Sequence, residues 1–501
     1  MPTKPAGYQW LKEQYGLSGY LLTHCSYIGN NDSIELTSKG NIEQVYGAKY
    51  APDADMPLSH LEFSLKYDDL NLDFLKTVLA KIPVAEITAF IEAAPSGKYA
   101  RMIGFLYEFL TQKKLVINKP ISGNYVDLLD TDKYITGKTV KDARWRINNN
   151  LLGTAAYCPM VRKTNILTAL LSQDISQQIQ QLKNEFPPDI FRRATSYLYT
   201  KETRSSYEIE KEQPSADRME KFIALLVRAG TEQTELLLAE ARLTQLQNAI
   251  VDSRFAATGF RNFQNYIGQS LSNYQDLIHY VCPPPAILLS LMEGLKDTAF
   301  KTIGIYPEIR AAIIAFGFVF IHPFEDGNGR LHRFLIHDIL VHDGIVPQGL
   351  IIPVSAHMLN NIRDYDTALE KYSKPLMQQI RYDKKGDGEI EVTNLKEVDG
   401  YFRYPDLTDQ CIYLAQVIHA TLKQDMPEEL VFIQRYDEVK KELQRIVDMP
   451  DKDINMMIVF LHQNKGVFPK RRRDYFSKLT DEEITLMQLV YRKIFELGPV
   501  E

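Results

Sequence analysis

The feature that most restricts what this chain can fold into is a run of apolar residues, AAIIAFGFVFI at 311–321, which stops at His322 and Pro323. At 11 residues it falls far short of the roughly 20 that a membrane-crossing helix needs. It reads instead as the end of a helix, PEIRAAIIAFGFVFI. The segments DIFRRATSYLYTKE, DRMEKFIALLVRAG, TELLLAEARLTQLQNAIV and RLHRFLIHDILVHDG also place apolar residues three and four apart, the spacing of one helix face. Residues 188–380 are therefore expected to form a mostly helical middle domain.

Before residue 187, helical stretches such as FLKTVLAKI and ARMIGFLYEFL alternate with the turn-rich NKPISGNYVDLLDTDKY, and a mixed, mostly helical N-terminal domain is expected over 1–187. After 380, RYDKKGDGEIEVTN breaks the periodicity. Its Asp383, Asp387 and Gly388 resemble a calcium loop only faintly, since Lys385 occupies a ligand position and Asn394 stands where a bidentate Glu is wanted. A polar hairpin or linker fits better. The rest of the 381–501 domain reads as helical, with a start signal at Thr480 and Glu483, which can form a capping box.

The composition, 45% hydrophobic and 24% charged over 501 residues, is that of a globular protein. A net charge of -6 gives no general attraction to nucleic acid or an anionic membrane. Nucleic-acid contact would need a local patch, for which Lys470, Arg471, Arg472 and Arg473 are the candidates, although such a cluster is more often a solvated face. Cys25, Cys158, Cys282 and Cys411 form no Cys-x-x-Cys pair and suit free thiols in a reducing compartment. With no secretory apolar run at the N-terminus, a cytoplasmic protein without a membrane span is expected.

The segment IHPFEDGNGRLHRF joins the apolar helix to an amphipathic one starting near Asn328. Gly327, Asn328 and Gly329 thus sit at a helix N-terminus, where unpaired backbone N–H groups and the helix dipole bind anions. Arg330 and Arg333 are three apart and can reach one polyphosphate. Asp326 is placed to hold Mg2+ shared with those phosphates, and a neutral His322 could take a proton from an attacking hydroxyl. Phe324 anchors the loop in the core. The chain lacks a GxxxxGK[ST] loop and a kinase signature.

HPFEDGNGRLHR closely resembles the signature of the Fic family at every fixed position. The resemblance implies a mainly α fold: a helical Fic core with a short β-hairpin flap, flanked by a mixed, mostly helical N-terminal domain and a helical C-terminal domain. It implies transfer of AMP from ATP, with Mg2+, onto a Tyr, Thr or Ser hydroxyl of a target protein docked by strand pairing on a flap at 262–280. In that reading His322 is the general base and Asp326 the metal ligand. Phe324, Gly327, Asn328, Gly329, Arg330 and Arg333 bind the nucleotide. Tyr365 resembles the first of two aromatics near the adenine pocket, and Asp366 replaces the second.

A further family feature is an inhibitory helix carrying Ser or Thr, three residues, Glu, then Gly or Asn. TRSSYEIEKE offers Ser206 and Glu210 at that spacing, with Lys211 in place of Gly or Asn. A carboxylate at Glu210 reaching Arg333 would occupy the place of the γ-phosphate. Other readings stay open: transfer of a different phosphate-containing group, removal of AMP, or a non-catalytic regulator binding DNA or a partner. His337-Asp338 and His342-Asp343 suggest a metal-dependent phosphohydrolase. His332, His337 and His342, however, turn by about 140 degrees per step and cannot converge on one metal from one helix. A homo-oligomer is also left open.

Overall fold

In the computed structural model, which describes residues 3–36, 42–53, 55–270, 276–385 and 389–497, the apolar run lies in the helix Pro307–Ile321. Every residue from Glu308 to Ile321 is buried. Proline in the first turn is pre-set for helix and sacrifices no hydrogen bond there. A helix apolar on all sides must be covered on all sides. The helices Pro285–Lys301, Asn328–His342 and Thr408–Ala420 provide that cover. Among the described residues no helix is long and apolar enough to cross a membrane. The fold is mainly α.

The helix Pro188–Ile209 packs against Ala216–Val227, Val354–Asn360 and Met426–Ile446. Its buried Glu202 holds it to two other helices. Glu202 Oε1 is 2.6 Å from Nε2 of His337, and Glu202 also accepts from the Ser355 backbone at 2.8 Å and from the Ser355 hydroxyl. An uncompensated buried carboxylate would cost several kcal/mol. The network satisfies the charge and fixes the last turns of this helix over Asn328–His342.

The N-terminal region contains a four-stranded sheet that its helix-and-turn pattern did not reveal. Strands Lys4–Ala6, His24–Gly29, Ser33–Leu36 and Ile42–Gly47 lie in the spatial order first, second, fourth, third, with the second and fourth parallel. These strands are three to six residues long, too short for a period-two signal to stand out. The helix Lys98–Thr111 packs on Trp145, which is fully buried and donates from Nε1 to Glu108 at 3.1 Å. A Cβ at Gly104 would fall 2.1 Å from the Trp145 ring, so the close approach requires glycine.

The apolar clusters divide elsewhere than at the expected 187 and 380. The central cluster recruits Ile135, Leu152, Tyr157 and Val161 from the N-terminal side and runs on to Leu430. A separate C-terminal cluster spans Val439 to Tyr491. Chain segments near Tyr157 are drawn in because Gly294 and Gly317 leave room for them: a Cβ at Gly294 would sit 2.5 Å from the Tyr157 nitrogen. The segment after 380 forms a hairpin, Tyr382–Lys384 with Ile390–Val392; Asp387 and Gly388 lie outside the described residues. Thr480 and Glu483 form the capping box of the helix Asp481–Ile494.

Candidate active site

His322 caps the C-terminus of Pro307–Ile321 in the left-handed region, at φ 54 and ψ 60. That conformation costs an L-residue roughly 1–2 kcal/mol, so the surroundings must impose it. The His322 N–H closes the helix on Phe318 O at 2.9 Å. Nδ1 lies 3.1 Å from Val319 O. A carbonyl can only accept, so Nδ1 carries the proton and Nε2 keeps a lone pair. Burial pushes the imidazole pKa down to about 4; the Arg261 charge adds to this, while the Val319 carbonyl, Glu210 and Asp326 oppose it. At neutral pH this side chain is a neutral proton acceptor.

The loop after it is stapled by Asn328, whose side chain accepts from the Phe324 N–H at 3.0 Å and donates to Phe324 O at 2.9 Å. The Phe324 ring is fully buried and meets Phe260 edge-on at 5.5 Å. The ring is therefore an anchor in the core, as expected of it, and is not an exposed surface. Gly327 has φ 89, and a Cβ there would approach Val251 to 2.9 Å. Asp326 Oδ1 accepts from the Gly327 N–H at 2.5 Å and from Arg330 Nη2 at 2.6 Å. The other oxygen, Oδ2, has no protein partner among the described residues. Asn328, Gly329 and Arg330 begin the next helix, and their N–H groups precede any intrahelical acceptor.

Arg330 and Arg333 are 1% and 0% exposed, and a carboxylate holds each. Arg333 donates through Nε to Ser206 Oγ at 2.8 Å, and through Nη2 to Ser206 O at 2.7 Å and Glu210 Oε1 at 2.8 Å. Burial works against the Arg333 charge, but Glu210, Tyr365 and Glu202 together outweigh it and the pKa is raised. Arg330 faces Glu212 in a fork, Nη1 to Oε2 at 3.0 Å and Nη2 to Oε1 at 2.9 Å, and also reaches Ile250 O. Its guanidinium lies 5.3 Å over the Tyr207 ring. Each arginine keeps one buried donor with no partner among the described residues, Nε of Arg330 and Nη1 of Arg333.

Glu210 ends the helix Pro188–Ile209, and Lys211 follows it at φ 58. Lys211 N donates to Glu208 O at 2.9 Å and Glu212 N to Tyr207 O at 3.1 Å, the paired bonds of a Schellman turn. This explains why Gly or Asn suits position 211: the turn needs a left-handed residue there. The same turn delivers Glu210 and Glu212 to the two arginines. A Cβ on Gly329 would fall 2.0 Å from Glu210 Oε1.

Tyr365 is only 4% exposed and packs near His332 and Tyr413, which makes it a core ring beside Arg333 and not an open face for a base. Burial raises its pKa to about 12, with the Arg333 charge opposing. Asp366 beside it is exposed. The flap strands Tyr266–Ser270 and Asp276–Val281 pair antiparallel with an irregularity between Ile267 and Gly268; residues 271–275 lie outside the described residues.

Away from the site, His337 is committed to Glu202, Asp338 accepts the Gly230 N–H at 2.7 Å, and Asp343 pairs with Arg310 at 2.6 Å. The basic run is also partly committed. Arg473 donates to Phe476 O and Leu479 O at 2.5 Å, Arg472 lies 5.2 Å over Phe460, and Lys470 and Arg471 are exposed. Glu212 and Arg261 escaped the sequence reading. Glu212 had a weak signal, a carboxylate two residues beyond Glu210, whereas a lone Arg261 in GFRNF carried none.

A model of the Fic/DOC family matches residues 237–340. Among solved structures, a Fic family protein from Desulfovibrio desulfuricans G20 is similar at 16% identity and a TM-score of 0.38, covering 67% of this chain and 85% of its own. A Fic domain containing signaling protein from Bacteroides thetaiotaomicron VPI-5482 is similar at 17% identity and a TM-score of 0.37, covering 52% of this chain and 97% of its own. No curated protein matches. The matched span holds the flap, the apolar helix, His322, the glycine loop and both arginines. The chain thus contains a Fic/DOC domain, at residues 237–340.

Proposed function

We propose that this protein is an adenylyltransferase that moves AMP from ATP onto a Tyr, Thr or Ser hydroxyl of a target protein and is held inactive by Glu210. The observation that carries the reading is one neutral imidazole beside a helix N-terminus with two buried arginines, each with a donor still free. A Mg2+ triphosphate suits these residues: the free donors and first-turn N–H groups match phosphate oxygens, and Asp326 Oδ2 can hold the metal, which would neutralise phosphate charge. The target oxygen attacks the α-phosphorus, the bond from that phosphorus to the bridging oxygen breaks, and pyrophosphate leaves. The hydroxyl proton goes to His322 Nε2. While Glu210 occupies Arg333, the guanidinium is not available to the γ-phosphate.

Removal of AMP from a modified protein is the second reading. It is favoured by Glu210 Oε2, which has no protein partner among the described residues and could orient a water. The deciding experiment gives ATP labelled at the α or the γ phosphate to the Glu210→Gly chain, with His322 intact and with His322→Ala added as the variant. Protein-bound α label that vanishes in the variant is expected; γ label alone, or equal α label in both, overturns the reading.

A further inference from the structure

Arg261 is 6% exposed between the flap and the catalytic turn, and every acceptor of its guanidinium is a backbone carbonyl. Nε donates to His322 O at 2.7 Å, Nη1 to Phe263 O at 2.7 Å, and Nη2 to Pro283 O at 2.7 Å and Ile321 O at 3.4 Å. Its own N–H donates to Pro323 O at 2.9 Å. Phe263 and Pro283 flank the hairpin at its two roots, while Ile321, His322 and Pro323 form the turn that carries the imidazole. Burying a cation without a carboxylate in contact is costly, and a neutral side chain could bridge loops more cheaply. Asn265 does so, from Nδ2 to Phe324 O at 3.3 Å, and the Tyr280 hydroxyl does so to Phe320 O.

What the guanidinium adds is reach in several directions at once, together with a fixed charge beside His322. We propose that Arg261 is a positioning residue: it fastens both roots of the flap to the strained backbone of His322, so that a strand added to the flap brings its hydroxyl into register with Nε2. The catalytic part of this rests on the adenylyl-transfer reading; the fastening does not. The charged groups facing the imidazole are Arg261, Glu210 and Asp326. Removing Arg261 therefore leaves the two carboxylates unopposed and should move the titration of His322 upward.

The test compares Arg261→Met and Arg261→Lys in the full chain carrying Glu210→Gly. The transfer rate is expected to fall about 100-fold, the scale of a 1 Å misplacement, with ATP affinity held within about twofold. By NMR of the same substitutions made with Glu210 intact, the His322 titration midpoint should rise in Arg261→Met and stay at the wild-type value in Arg261→Lys, which keeps the charge. A folded Arg261→Met that transfers at the parent rate, a matching loss of ATP affinity, or an unmoved midpoint overturns the proposal. Should Arg261→Met fail to fold, Arg261→Lys carries it: a slower rate with parental affinity supports the proposal, and a parental rate overturns it. Should the parent transfer nothing, the activity reading fails while hydrogen exchange still decides. Joint loss of protection in both flap strands and in residues 319–324 supports the fastening, and unchanged protection refutes it.

Discussion

Glu210 Oε1 stands 2.8 Å from Nη2 of Arg333, and the same oxygen lies where a Cβ on Gly329 would be, at 2.0 Å. One carboxylate thus fills the space over the helix N-terminus and neutralises the arginine beneath it. A charge-assisted hydrogen bond contributes about 1.5–3 kcal/mol, so Glu210→Gly should raise α-label incorporation from ATP by roughly 10- to 100-fold. Unchanged labelling in the folded variant removes Glu210 from the inhibitory role.

Glu212 holds Arg330 as Glu210 holds Arg333, and Arg218 approaches it at 3.2 Å from the other side. Glu212→Gln keeps the shape and removes the charge. We expect tighter ATP binding by isothermal titration and a labelling gain that multiplies with Glu210→Gly. A loss of labelling would instead mean that Glu212 orients Arg330 for phosphate.

Lys211 occupies a left-handed position at the end of a Schellman turn. Glycine adopts that conformation without a Cβ penalty. Lys211→Gly should therefore stabilise the protein by about 1 kcal/mol, read as a higher urea midpoint with an unchanged slope.

His322 and His332 have pKa values pushed by burial to about 4 and about 3, against an ordinary 6.5. Because both folded values lie below 6.5, the unfolded chain binds more protons in that window. Their stability contribution is complete above pH 6.5 and is lost as pH falls toward 4 and then 3. His332 packs edge-on to Phe316 at 4.6 Å, so His332→Phe should preserve packing and flatten the fall in unfolding free energy between pH 6.5 and 3. An acid profile identical to wild type would show that His332 is not buried neutral. For the reaction, the acid limb of the labelling rate should centre near pH 4 and not near 6.5.

Arg473 bonds two carbonyls and faces Asp481 at 3.1 Å. Arg473→Ala should destabilise the C-terminal unit by roughly 1–2 kcal/mol. Neutralising the exposed Lys470 and Arg471 should leave its melting temperature unchanged. If the double neutralisation abolishes salt-dependent binding to duplex DNA, the nucleic-acid alternative returns.

The legible part of the molecule is local. Pro307–Ile321, the start of the next helix at Asn328 and the capping box at Thr480 are written in periodicity and capping residues a few positions apart. The short N-terminal strands were not, because a strand of three residues carries no period, and its partner, His24–Gly29, lies some twenty residues away. Tyr365 illustrates the limit at the site. Its residue type suits a base pocket, but its ring is buried in the core.

The sequence by itself determined which groups are candidates for chemistry near His322, since a proton acceptor, a carboxylate, two glycines and two arginines fall within one loop and the first two turns of a helix. Only the tertiary structure decided what those groups face. The pairing of Glu210 with Arg333 is implied by the family resemblance, but Glu212 reaches Arg330 across 118 residues and Arg261 reaches His322 across 61 only in space. Charge and hydrogen bonding act through distances in space, and those distances exist only after the helix Pro188–Ile209 has been packed, and held by Glu202, against the helix that carries both arginines.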